Sequence, residues 1–286
     1  RLEKIDKIDK PYLEQKKIIL NNKIISRTGK EVLNVENLSK SFKDKRILKD
    51  ITFNVFYNDR FGILGENGTG KSTLIKIIMN EIAADSGQIK FGSRLKIGYL
   101  AQEVNFENED ISILDLFMYK YSRTRSESRK ELAKALFTGD DVFKLISNLS
   151  GGEKSRLKLA MLMFEKVNVM ILDEPTNHLD IDSREVLEES LKNYEGTIIF
   201  VSHDRYFVNK IATRIGEIEK GSLKTYNYDY EGYKEEKNRI NEQLSKSKDT
   251  IKEKVKKKNK NVDYKKGNEK QKIIKKLENK LSNIEE

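Results

Sequence analysis

The chain has 286 residues, enough for one large domain or two smaller ones, each with a real hydrophobic core. It contains no cysteine, which excludes disulfides and thiolate metal sites and suits a reducing compartment, so a cytoplasmic protein is expected. Its net charge of +10 favours anionic partners, nucleic acid before a membrane surface.

The charge is uneven: residues 234–286 hold 18 Lys and Arg against 10 Asp and Glu, which is +8 of the +10. Either a solvated helical face or a nucleic-acid contact accounts for such a stretch. No apolar run approaches the ~20 residues that span a bilayer, and no signal-peptide pattern is present. The chain starts at Arg1 rather than Met, so it reads as an excerpt of a longer protein.

In chain order, residues 1–11 are charged, with Leu2, Ile5 and Ile8 at every third position, and read as the end of a helix stopped by Pro11. Residues 31–64 read as strands. Val32, Leu33 and Val35 begin one, Ile51, Phe53 and Val55 alternate on another, and Phe61 to Leu64 runs into a glycine-rich segment. Asn58 and Asp59 supply the turn before that last strand, and both tolerate left-handed geometry. Apolar residues 74–79 predict a helix opening on the glycines. Strands follow over 87–101, and spacing predicts helix over 111–137 and 151–166. A strand at 168–172, a helix at 182–193 and a strand at 197–201 complete an alternation that predicts an α/β fold with a parallel sheet wrapped by helices. Beyond about 233, Ile240, Leu244, Ile251 and Val255, then Leu277, Leu281 and Ile284, give a short heptad-like pattern.

The glycines belong to Gly65-Glu66-Asn67-Gly68-Thr69-Gly70-Lys71-Ser72, which fits G-x-x-x-x-G-K-[ST] between a strand and a helix. Backbone N–H groups of Asn67, Gly68, Thr69, Gly70, Lys71 and Ser72, with Thr73 beyond, sit where a helix N-terminus can cradle the phosphates of ATP. Lys71 is expected to reach the β and γ phosphates, and Ser72 to ligate Mg2+. Asp173 and Glu174 end an apolar strand. Asp173 is expected to hold Mg2+ through water, and Glu174 to polarise the attacking water. His203, one of two histidines, follows the strand 198–201 and can donate to the γ phosphate and orient that water.

Five further motifs follow the phosphate loop in order: Gln102, Leu149-Ser150-Gly151-Gly152-Glu153, Val169 to Glu174, Leu179-Asp180 and His203. A glycine turn beside a core strand does not account for that series. At these residues the chain resembles the ATP-binding cassette superfamily, and more closely its ABC-F class. The runs Leu149 to Ala160, Asp173 to Asp180, Val201 to Phe207 and the tyrosines from Tyr226 to Tyr233 are similar to ABC-F segments. The resemblance covers residues 1 to about 233.

The resemblance implies a P-loop cassette with a mixed sheet core, an antiparallel β subdomain and a helical subdomain. It implies three parts: the end of an inter-cassette linker at 1–11, the cassette at 12–233 and a basic helical extension at 234–286. By the same match Phe42 stacks on adenine, Gln102 links Mg2+ to the helical subdomain, and Asp180 lies at the cassette interface. Ser150, Gly151, Gly152 and Glu153 serve the ATP of a second cassette, so turnover by this cassette alone is expected to be slow and a weak ATP-dependent homodimer is allowed. The implied role is ATP-dependent action on the ribosome, with rRNA and tRNA as partners, in translation regulation, stalling relief or antibiotic protection. The competing classes are the nucleotide-binding subunit of a membrane transporter and a DNA-repair cassette. The Thr176-Asn177-His178 sequence and the basic tail argue against the first. The lack of cysteines and of a very long coiled coil within the cassette argues against the second.

Overall fold

A computed structural model describes residues 29–243 apart from His178, with backbone alone at Asp182. The helix expected over 1–11 and most of the extension expected over 234–286 lie outside the described residues. Two compact units divide at Tyr230/Glu231. The described part of the second, 231–243, is helical.

The first unit opens with an antiparallel pair, β1 (Glu31–Phe42) and β2 (Lys45–Phe56), and β4 (Ser86–Phe91) adds to β1 on its other side. The second sheet has β3 (Arg60–Leu64), β5 (Ile97–Leu100), β6 (Val169–Asp173), β7 (Thr197–Val201), β8 (Arg214–Glu219) and β9 (Ser222–Tyr226), in the order β5-β6-β7-β3-β8-β9. All its neighbours are parallel except the β8–β9 hairpin. The sheet is therefore mixed, as expected.

Every residue of β6 and β7 is buried. This is the signature of parallel strands covered on both faces, and it explains their unbroken apolar runs. Val169, Ile171, Ile199 and Val201 join the α1 helix (Lys71–Ile78) and the inner face of the three-stranded sheet in one core with Leu33, Val35, Leu38, Ile51 and Phe53. On the other face lie α4 (Gly151–Phe164), α5 (Ile181–Lys192) and α6 (Arg205–Ile211). Phe200 of β7 meets Phe207 of α6 edge to face at 5.4 Å. Arg60, at the start of β3, donates to the carbonyls of Leu191, Lys192 and Tyr194 and satisfies the end of α5.

The helical stretch expected over 111–137 consists of two helices, α2 (Ile113–Tyr121) and α3 (Arg125–Lys134). Ser122 leaves the first in the left-handed conformation, φ 49°. Thr124 starts the second with a capping box to Glu127. The apolar period on either side is helical, and the break is carried by polar residues that periodicity does not weigh. A core of Ile113, Leu114, Phe117, Leu132, Phe137, Ile146, Leu157 and Met161 ties these helices to α4. The expected turn at Asn58 forms, with φ 64° and its N–H on Thr197 Oγ1 at 3.0 Å. Sequence spacing did not assign α6, β8 and β9.

Phe117 is fully buried and packs its ring against Tyr121 and Phe164 at 4.8 and 5.3 Å. Phe117→Ala is expected to destabilise this helical layer by about 3–5 kcal/mol, read as a lowered denaturant midpoint. A loss under ~1 kcal/mol would mean that the layer is not packed as described.

Candidate nucleotide site

Strands β6, β7 and β3 are neighbours, and each delivers one chemical group at its carboxyl end. β3 runs into the glycine loop and Lys71, β6 ends in Asp173 and Glu174, and β7 ends before Ser202 and His203. In open parallel sheets ligands bind beyond the carboxyl ends of the strands, because the loops there converge.

The loop is shaped by backbone geometry. At Gly70, φ is 102°, and an added Cβ would lie 2.6 Å from Ile47 Cγ2 and 2.8 Å from Leu48 Cδ2. At Gly65 a Cβ would lie 2.6 Å from the Ile218 carbonyl. The loop therefore has no room for side chains at these two points, and the backbone itself faces the cleft. Gly70 is the N-cap of α1 and provides no side-chain cap, so the N–H groups of the first turn remain for a ligand. Thr69 closes the loop on the Glu66 carbonyl at 2.9 Å.

Lys71 is 6% exposed and its ammonium donates to the carbonyls of Gly65 and Glu66, both at 2.9 Å. Ser72 Oγ donates to Asp173 Oδ1 at 3.2 Å. Both oxygens of Glu174 meet His203: the backbone N–H at 3.1 Å and ring Nε2 at 3.1 Å. Glu174 is 6% exposed and left-handed, with φ 49°. Such a conformation costs a non-glycine residue ~1–2 kcal/mol, and here two hydrogen bonds hold it. Its N–H donates to the Val201 carbonyl at 3.0 Å, and its carbonyl accepts from Asn177 N–H at 3.1 Å.

Burial governs the charges. It lowers the Lys71 ammonium pKa, with Glu174 and Asp173 opposing. It raises the Asp173 carboxyl above its ordinary value, with the Ser72 hydroxyl opposing and Glu174 adding to the rise. Tyr99 on β5 is pushed up to about 12 by burial and then by Asp173. The two buried groups of opposite sign do not fully compensate one another, so a ligand bringing both phosphate anions and a cation fits the donor set.

A cleft of about 460 Å³ joins these parts. Of the residues expected from sequence, Phe42, Asn67, Gly68, Gly70, Lys71, Ser72, Thr73, Gln102, Glu174 and His203 line it. Asp173 reaches it through Ser72, and Thr69 acts through the loop's own turn. Ile47 and Asn177 also line the cleft and were missed by sequence reasoning. Ile47 belongs to the β1–β2 hairpin that carries Phe42, so strand pairing was the available signal. Ser150, Gly151, Gly152, Glu153 and Asp180 do not line it. Ser150 caps α4, accepting from Glu153 N–H at 3.2 Å while its own N–H donates to Glu153 Oε2 at 2.9 Å. Asp180 caps α5, accepting from Ser183 N–H at 3.0 Å; the Ser183 side chain first, and this backbone bond after it, lower its pKa.

This fold and this loop define a P-loop ATPase cassette. Residues 48–177 match the ABC transporter family model. The chain is 42% identical over 239 residues to the protein YdiF of Bacillus subtilis, covering 83% of this chain and 37% of that protein. It is 36% identical to the ATP-binding protein Uup of Buchnera aphidicola, covering 91% and 46%. It is also 36% identical to ABC transporter F family member 5 of Arabidopsis thaliana, covering 82% and 34%. Among solved structures, cbiO1 of a Clostridium perfringens ABC transporter complex aligns with TM-score 0.58 at 27% identity, over 74% of this chain and 94% of that one. The chain belongs to the ATP-binding cassette superfamily, in its ABC-F class, and its cassette is of the ATP-binding, ATP-hydrolysing kind. It spans less than half the length of these curated relatives. Among the described residues no helix is long and apolar enough to cross a membrane.

With a folded pKa above its unfolded value, Asp173 costs nothing below the unfolded value and costs stability as pH rises through the folded one. Asp173→Asn keeps an acceptor for Ser72 and removes the buried charge. It is expected to raise Tm of the nucleotide-free chain at neutral pH, with the gain shrinking as pH falls toward the ordinary aspartate range, about 4. An unchanged Tm across that range would mean that the carboxylate is fully compensated.

Proposed function

We propose that this chain is the second nucleotide-binding cassette of an ABC-F protein that acts on the ribosome, with the linker end at 1–11, the cassette at 12–233 and a basic extension at 234–286. The observation that carries the enzymatic half is the convergence of Lys71, Ser72, Asp173, Glu174 and His203 on one cleft. In this reading the loop amides and the α1 N-terminus take the ATP phosphates, and Lys71 exchanges two carbonyl partners for phosphate oxygens. Ser72, Asp173 and Gln102 would hold Mg2+, whose chemistry is to neutralise charge on the phosphate oxygens. Glu174 orients and accepts a proton from water, and His203, which already grips both Glu174 oxygens, fixes that carboxylate.

In the same reading the α4 N-terminus at Ser150–Glu153 and Asp180, which do not line this cleft, serve the nucleotide of a second cassette. Cassettes work in pairs, and the partner here is the other half of the same protein. This cassette alone is therefore slow, and pairs weakly with itself under ATP. The ribosome reading is supported by the ABC-F relatives and by the +8 charge of residues 234–286. The transporter-subunit reading draws on a likeness at 27% identity, against 36–42% for YdiF, Uup and the plant ABC-F protein.

Glu174→Gln is expected to retain ATP binding and lose about 10²–10⁴-fold in turnover. Wild-type turnover by this variant would remove Glu174 from the chemistry. Lys71→Ala is expected to weaken ATP binding by roughly tenfold to a hundredfold, measured by fluorescent-nucleotide titration. The full-length protein carrying Glu174→Gln is expected to cosediment with ribosomes only when ATP is present. Absence of pelleting with ATP demonstrably bound would discard the ribosome reading.

A further inference from the structure

We propose that Asp85 and Lys40 are positioning residues for the nucleotide base, acting by clamping the end of β1 that carries Phe42. The inference rests on the reading of Phe42 as the base platform, since Phe42 lines the cleft and is 46% exposed. A platform gives binding energy only if it is held before the base arrives, because ordering it on binding costs free energy.

Phe42 pairs with Lys45 at the tip of the β1–β2 hairpin, but the register shifts between Leu38 and Lys40 and again between Lys40 and Ser41, so this tip is set off from the regular ladder behind it. Asp85 bridges that irregular stretch through three bonds to three consecutive residues. Its N–H donates to the Ser39 carbonyl at 2.9 Å, its Oδ2 accepts from Ser41 N–H at 2.6 Å, and its Oδ1 accepts from the Lys40 ammonium at 2.9 Å. Lys40 also lies 5.5 Å from the centre of the Phe42 ring, within range of a cation–π contact. Thus one carboxylate fixes the backbone just before Phe42 and the cation that flanks its ring. The Lys40 and Ser41 bonds hold the Asp85 carboxyl below its ordinary pKa, in keeping with a clamp made by its charged form.

The test compares ATP with tripolyphosphate, which has no base to stack. On this chain, Phe42→Ala is expected to weaken ATP binding about tenfold and tripolyphosphate binding less than about twofold. Asp85→Ala is expected to weaken ATP binding about threefold to tenfold, again sparing tripolyphosphate, and to raise KM with little change in kcat. Asp85→Asn, which keeps an acceptor for Ser41, is expected to fall between wild type and Ala, and stands in if the Ala variant does not fold. In a Phe42→Ala background Asp85→Ala should add nothing. If Phe42→Ala leaves ATP affinity intact, the platform reading itself fails. If Phe42→Ala weakens ATP selectively while both Asp85 variants match wild type, or weaken ATP and tripolyphosphate alike, the clamp is overturned.

Discussion

An ammonium and two carboxylates share one poorly solvated cleft, and most of the architecture serves that arrangement. Removing such groups from water is expensive unless each finds partners. Lys71 finds two loop carbonyls, Asp173 finds Ser72, and Glu174 finds His203. The partners of Asp173 and Glu174 lie 101 and 29 residues away in the chain and meet them only because β6, β7 and β3 are neighbours with the same polarity, whereas Lys71 finds its carbonyls within its own loop. The pairing of buried strands is thus the condition for the electrostatics. The residual imbalance, seen in the burial-driven shifts of Lys71 and Asp173, is one that a phosphate anion with its counter-cation would relieve.

The surrounding parts divide the remaining work. The glycine loop is formed by crowding: Ile47, Leu48 and the Ile218 carbonyl occupy the space where side chains would lie, so backbone amides face the cleft. The three-stranded sheet brings Phe42 and Ile47 to one wall, and Asp85 stabilises the irregular strand end that carries Phe42. The helical layer, built around Phe117, presents the Ser150–Glu153 cap away from this cleft. A capping box there has two consequences. It satisfies the N–H groups of Ser150 and Glu153, and it uses the Ser150 hydroxyl only as an acceptor.

Glu174 shows how strain and position combine. A left-handed glutamate is held by β7 on one side and Asn177 on the other, so the turn after β6 cannot relax without breaking both bonds. The conformation aims the carboxylate along the sheet's carboxyl edge toward His203 rather than out to solvent. The neighbouring Asp173 keeps ordinary strand geometry and points to Ser72. Two adjacent carboxylates thus acquire different surroundings from one change of backbone sign.

The sequence by itself determined the chemistry that depends on neighbours in the chain. Glycines at 65, 68 and 70, the lysine and serine after them, and the apolar run ending in Asp173-Glu174 all state a local geometry, and each lies in the element its pattern implied. The Asn58 turn was legible for the same reason. Periodicity showed 111–137 as helical but not its break, because the Ser122 to Thr124 interruption is written in capping chemistry rather than in hydrophobic spacing. Only the tertiary structure decided what depends on long-range pairing. This includes the bond of Ser72 to a carboxylate 101 residues away, the double grip of His203 on Glu174, the arrival of Ile47 and Asn177 at the cleft, and the hold of Asp85 on the strand of Phe42. A chain records what its residues prefer next to one another, whereas strand order and burial decide which distant groups share a low-dielectric space.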